Sequence, residues 1–128
     1  MNNKRILVID DEDGVRDIIQ ITLETVAGWE VIAASGGQEG LEIALAQQPD
    51  AILLDVMMPN LDGPATFKQL RSYSQTQHIP TILLTAKAKS SEQQEYANLG
   101  VNGVIVKPFE AQNLVKQIRR LLGWESCP

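Results

Sequence analysis

Cysteine is almost missing from this chain: the single thiol, Cys127, is next to last. No intramolecular disulfide and no thiolate metal cluster can form, a pattern that suits a reducing compartment. Basic residues are outnumbered, 11 Lys and Arg against 16 Asp and Glu, for a net charge of −5. That balance argues against phosphate-backbone binding, which needs a basic stripe. The densest basic group, Lys116, Arg119 and Arg120, reads as one face of a final helix. Aromatics are scarce at 5%; Trp29 and Trp124 flank helix ends and read as covers for the edge of the core rather than as base-binding platforms. Long apolar runs are missing too. Ile6–Ile9 is too short for a signal peptide or a membrane span, so a cytoplasmic protein is expected, with neither nucleic acid nor a membrane as a direct partner. No repeat, linker or low-complexity segment interrupts the sequence.

What remains is an ordinary globular composition, 44% hydrophobic over 128 residues, enough for one core without disulfides or structural metal. One domain, 1–128, is expected, with a core of about 4–122 and a short tail, 123–128. Apolar runs of strand length occur at Ile6–Ile9, Val31–Ala34, Ala51–Leu54, Ile82–Leu84 and Val104–Val106. Strands apolar on both faces belong inside a parallel sheet covered by helices. Helix-period segments lie between them. Asp13 is placed to cap the first, in which Val15, Ile18, Ile19, Thr22, Leu23 and Val26 form one stripe. Ser35 caps a second that runs to about Gln47. Pro64 to about Arg71 is a third, Lys89–Leu99 a fourth closed by Gly100, and Glu110–Leu122 a fifth closed by Gly123. Five strand–helix repeats joined by right-handed crossovers give an α/β doubly wound sheet with helices on both faces.

In such sheets, sites form at the carboxyl ends of the strands. Those ends carry Asp10 and Asp11, Asp55, Thr85, and Lys107 before Pro108. Crowded carboxylates resist ionising together unless a cation intervenes, and a hard divalent ion such as Mg²⁺ relieves that conflict through oxygen ligands. Lys107 offers a positive charge with three donors and Thr85 a hydroxyl. A carboxylate nucleophile, a metal, a lysine and a hydroxyl together suit the formation of an aspartyl phosphate, with Asp55 on the central strand as nucleophile.

The stretches Ile6-Leu7-Val8-Ile9-Asp10-Asp11-Glu12, Leu53-Leu54-Asp55-Val56-Met57-Met58-Pro59, Asp62-Gly63, Leu84-Thr85-Ala86 and Lys107-Pro108-Phe109 closely resemble the receiver domain of bacterial two-component response regulators, over roughly Lys4–Leu122. The resemblance implies a flavodoxin-like strand order 2-1-3-4-5. It implies that Asp55 accepts a phosphoryl group from a sensor histidine kinase or a histidine phosphotransfer protein. Asp11 and Asp55 would hold Mg²⁺ directly, Asp10 directly or through water, and the backbone carbonyl of Met57 would add a ligand. Lys107 would pair with a phosphoryl oxygen, Thr85 would swing inward onto it, and the Lys107–Pro108 bond would be cis. With six residues after the last helix, the resemblance points to a chemotaxis-type, single-domain regulator, with a fragment of a longer regulator as the alternative. It would signal to a downstream protein target through the face of helix four, strand five and helix five.

Two departures from the family pattern matter, one at Val104 and one at the rim residues Met57 and Lys87. Val104 stands where an aromatic is common, so the usual coupling of a ring to the moving Thr85 cannot operate. The resemblance implies that Met57 and Lys87 would overhang the phosphoryl group and shield it, a slowly hydrolysing phosphoform whose lifetime Met57→Asn would shorten. Other residues read plainly: Gly36-Gly37 lacks a full phosphate-binding fingerprint, and His78 is a loop histidine. Ile21 lies off the buried stripe, either as a stray exposed residue or as a docking point for a phosphotransfer helix. Two other functions stay open: a pseudo-receiver that binds partners without phosphorylation, and an aspartate-nucleophile phosphohydrolase. The second lacks the acid it would need two residues after Asp55.

Overall fold

The computed structural model describes residues 4–86 and 90–124. Five strands, β1 (Arg5–Ile9), β2 (Glu30–Ala34), β3 (Ala51–Asp55), β4 (Thr81–Thr85) and β5 (Gly103–Val106), form one parallel sheet in the order β2-β1-β3-β4-β5. Between and after them run α1 (Asp13–Thr22), α2 (Gly37–Gln47), α3 (Gly63–Ser72), α4 (Ser90–Asn98) and α5 (Ala111–Leu122). Architecture and order are those expected. Among the described residues, no helix is long and apolar enough to cross a membrane.

The strands are apolar on both faces because each face meets helices. Ile6, Val8, Leu53, Ile82, Leu84 and Ile105 join one core with Ile19 and Leu23 on the α1 side and Leu114, Val115 and Ile118 of α5. Their alternates Leu7, Ile9, Ile52, Leu54 and Leu83 join the other, with Leu41, Phe67, Leu70 and Tyr96. Trp29 and Trp124 meet edge to face at 5.5 Å beside the first core. Arg119 lies over the Trp29 ring and Lys4 over Trp124, so both rings do cover an edge.

Three local expectations are corrected. Asp13 is the first residue of α1, not its cap; Glu12 takes that position without a side-chain bond. Ser35 does not cap α2. Gly36 does, while the Ser35 N–H and hydroxyl both donate to the Glu39 carboxylate, tying the loop from the helix side. The stripe on α1 is narrower than counted: Ile19, Thr22 and Leu23 are buried, but Ile18 is 54% exposed and Val26 is exposed as well. After Thr22 the helix widens into a π-helical turn, Leu23–Ala27, closed by Gly28 in the left-handed region (φ 72°). That wider turn breaks the 3.6-residue period on which Val26 had been placed inward.

Candidate functional site

The registers bring the chemistry to one rim. Ile9 pairs with Ala34, Asp55 with Leu84 and Thr85 with Val106, so the acids, the hydroxyl and Lys107 leave adjacent strands at one level. Asp10 and Asp55 are buried and Asp11 is exposed, and one carboxylate oxygen from each lies within 4.8 Å of the others. An all-oxygen set this tight fits a hard divalent cation.

Lys107 spans the cluster. Its ammonium donates to Asp10 Oδ2 at 2.9 Å and to Asp55 Oδ1 at 3.1 Å. Burial draws the Lys107 pKa down, but the bonds and charges of Asp10 and then Asp55 outweigh it, and the net shift is upward. The Asp55 carboxyl is pushed up to about 6, first by burial and then by the charge of Asp10. Lys107 and the N–H of Met57 offset part of that rise. Asp55 is therefore still largely ionised at neutral pH, as a nucleophile must be. Thr85 is fully buried, and its carbonyl accepts the Lys107 N–H at 2.7 Å. The Lys107–Pro108 bond is cis.

Three contributors were missed from the sequence. The N–H of Glu12 donates to Asp10 Oδ1 at 2.9 Å, so both Asp10 oxygens are engaged. Arg16, on the second turn of α1, reaches back to the Asp10 carbonyl at 2.7 Å and also grips the Asp13 carboxylate. Its signal was one cation among Asp10, Asp11, Glu12, Asp13 and Asp17. Gly63 lies against the backbone of the nucleophile: its N–H donates to the Val56 carbonyl at 2.9 Å. A Cβ there would stand 2.5 Å from the Asp55 carbonyl oxygen.

Residues 6–119 match the model of the response regulator receiver domain family. The chain belongs to that family. The alkaline phosphatase synthesis transcriptional regulatory protein PhoP of Bacillus subtilis is 39% identical over 120 residues, 94% of this chain but 49% of its own. This chain therefore spans about half the length of such curated relatives. Chemotaxis protein CheY4 of Vibrio cholerae superposes with a TM-score of 0.88 at 33% identity, covering 94% of this chain and 99% of that one. The receiver domain of sensor histidine kinase PA1611 from Pseudomonas aeruginosa (TM-score 0.84, 28% identity, 95% and 99% covered) was solved with magnesium ion coordinated in the active site cleft. Since PhoP is a transcriptional regulator, the comparison lends no support to an output free of nucleic acid.

Within this receiver domain the remaining candidates separate. Met57 presents an exposed side chain at the rim, whereas Lys87 lies outside the described residues, as does Lys89, the expected start of α4. Val104 is half-buried and packs against the core on the α4 side. Gly37 is buried and approaches the Leu61 carbonyl, so it serves helix packing and not a phosphate cradle. His78 is an exposed turn residue. Ile21 is 63% exposed.

Proposed function

We propose that this receiver domain is a cytoplasmic phospho-accepting switch. The observation that carries the reading is the convergence of Asp10, Asp11 and Asp55 with Lys107 bridging two of them. Asp55 attacks the phosphorus of a phosphohistidine; a P–O bond forms to the carboxylate, and the P–N bond breaks with its electron pair left on the imidazole. Asp10, Asp11 and Asp55, with the Met57 carbonyl, would hold Mg²⁺. Asp10, whose oxygens also take Glu12 N–H and Lys107, would act directly or through water. Bound there, Mg²⁺ would offset negative charge on the transferring group. Lys107 then exchanges its bond to Asp55 for one to a phosphoryl oxygen, and the Thr85 hydroxyl bonds the same group. Because Val104 offers no ring, the change spreads through the backbone between Thr85 and Val104 and reaches the α4–β5–α5 face.

The test is intact mass after incubation with Mg²⁺ and acetyl phosphate, beside Asp55→Asn. One added phosphoryl group, absent from the variant, is the expected result. A folded protein that gains none is a pseudo-receiver instead.

Two outputs are carried forward. One is contact with a downstream protein, as for a stand-alone regulator. The other is favoured by the transcriptional relatives of twice the length: regulation of DNA through a further segment. Retardation of genomic DNA fragments by the natural protein only after phosphorylation would establish the second.

A further inference from the structure

We propose that Arg16 is a positioning residue for the cation site: it holds the β1–α1 turn in the shape that places Asp11 beside Asp55. The inference rests on the Mg²⁺ reading of the site given above.

The turn is laced from both sides. Asp10 is anchored at its N–H, which donates to the Ala34 carbonyl at 3.1 Å, and at both carboxylate oxygens, which take Glu12 N–H and Lys107. Its own carbonyl lies beyond the last paired residue of β1, and Arg16 takes it at 2.7 Å. The other arm of the same guanidinium holds Asp13, the first residue of α1. The planar fork of an arginine suits such a two-point grip in a way an ammonium does not. Arg16 thus ties the end of the strand to the start of the helix, across the three residues Asp10, Asp11 and Glu12. The Asp11 side chain is exposed; its position is inherited from the backbone on either side.

Arg16 is only 17% exposed along its side chain, and its charge also reaches Glu39 at the start of α2. The guanidinium therefore sits inside the rim, where a role as a mere charge and a role in positioning predict opposite results. As a charge, Arg16 repels an incoming cation, so its removal would tighten Mg²⁺ binding. As a positioning residue, it builds the ligand set, so its removal weakens binding despite the lost repulsion.

The experiment is calorimetric titration of Mg²⁺ at fixed ionic strength into the wild type, Arg16→Ala and Arg16→Lys, with thermal melts of each in EDTA. Expected are a dissociation constant at least fivefold higher for Arg16→Ala and a smaller rise for Arg16→Lys, which keeps the charge and one donor but loses the fork. Unchanged or tighter binding by Arg16→Ala overturns the inference while leaving the site intact. Should Arg16→Ala fail to fold in EDTA, Arg16→Lys decides, and wild-type affinity in that variant overturns the inference. A wild type that takes up no Mg²⁺ removes the cation reading itself, and this inference with it.

Discussion

Asp55 shows how far one side chain feels its surroundings before any metal arrives. Three carboxylates crowded at one rim resist ionising together. In the structure burial and then the charge of Asp10, offset only in part by Lys107, push the Asp55 carboxyl up to about 6. The sign follows from linkage. Below about pH 4 both folded and unfolded chains carry the proton and no penalty exists. As pH rises towards 6 the unfolded chain ionises first, so stability falls; above 6 the full penalty, on the order of 3 kcal/mol, is present. Asp55→Asn should therefore match wild type near pH 4 and exceed it at pH 7, in urea unfolding with EDTA. A difference that stays flat across this range would show that Asp55 is not under strain. Asp10, Asp55, Thr85 and Lys107 were legible because each ends an apolar run. Arg16 was not, because its bond is to a backbone carbonyl, and only the shape of the turn brings the two together.

Elements were legible where a face is wholly buried and less so where a helix is half-buried. The strands followed from two-faced apolar runs, and α5 from its basic face of Lys116, Arg119 and Arg120 and the closing Gly123; opposite, Leu114, Val115 and Ile118 are buried. Counting α1 at a uniform period failed at Val26, since no residue type announces a π-helical turn. Glycines carry a comparable hidden constraint. Gly63 begins α3 with space for no side chain, a Cβ there lying 2.5 Å from the Asp55 carbonyl oxygen and 2.8 Å from the Val56 Cα. These are backbone atoms that cannot rotate away, so Gly63→Ala should cost roughly 1–3 kcal/mol, as overpacking does. Gly14, in α1, has nothing within 4 Å of its would-be Cβ. There the lower backbone entropy of alanine dominates, and Gly14→Ala should gain about 0.5 kcal/mol. Denaturant midpoints of the two variants should move in opposite directions, and equal small shifts would mean that α3 can back away from β3.

At the scale of the molecule, strand order came from the resemblance, because right-handed crossovers alone leave several orders open. Surface chemistry was the least legible level. Ile21 alone was ambiguous between a stray apolar residue and a contact. The structure adds Ile18, which had been assigned to the core, and puts the two at i and i+3 on one exposed face of α1. Ile18 also lines a groove of about 380 Å³ with Glu12, Val15, Ala86, Lys107, Pro108 and Phe109. It opens next to the proposed phosphoacceptor, where a donor protein must bring its histidine, and an apolar patch at such a place marks an interaction surface. Ile21→Asp should leave the fold within about 0.5 kcal/mol of wild type, since the side chain is mostly in water. A small donor needs no docking surface, so modification by acetyl phosphate should proceed at the wild-type rate. Transfer from a phosphorylated histidine phosphotransfer domain should slow severalfold, because a charge would be buried against the donor's helix without a partner. Equal rates from both donors would return Ile21 to the stray exposed residues and place donor contact elsewhere on the rim.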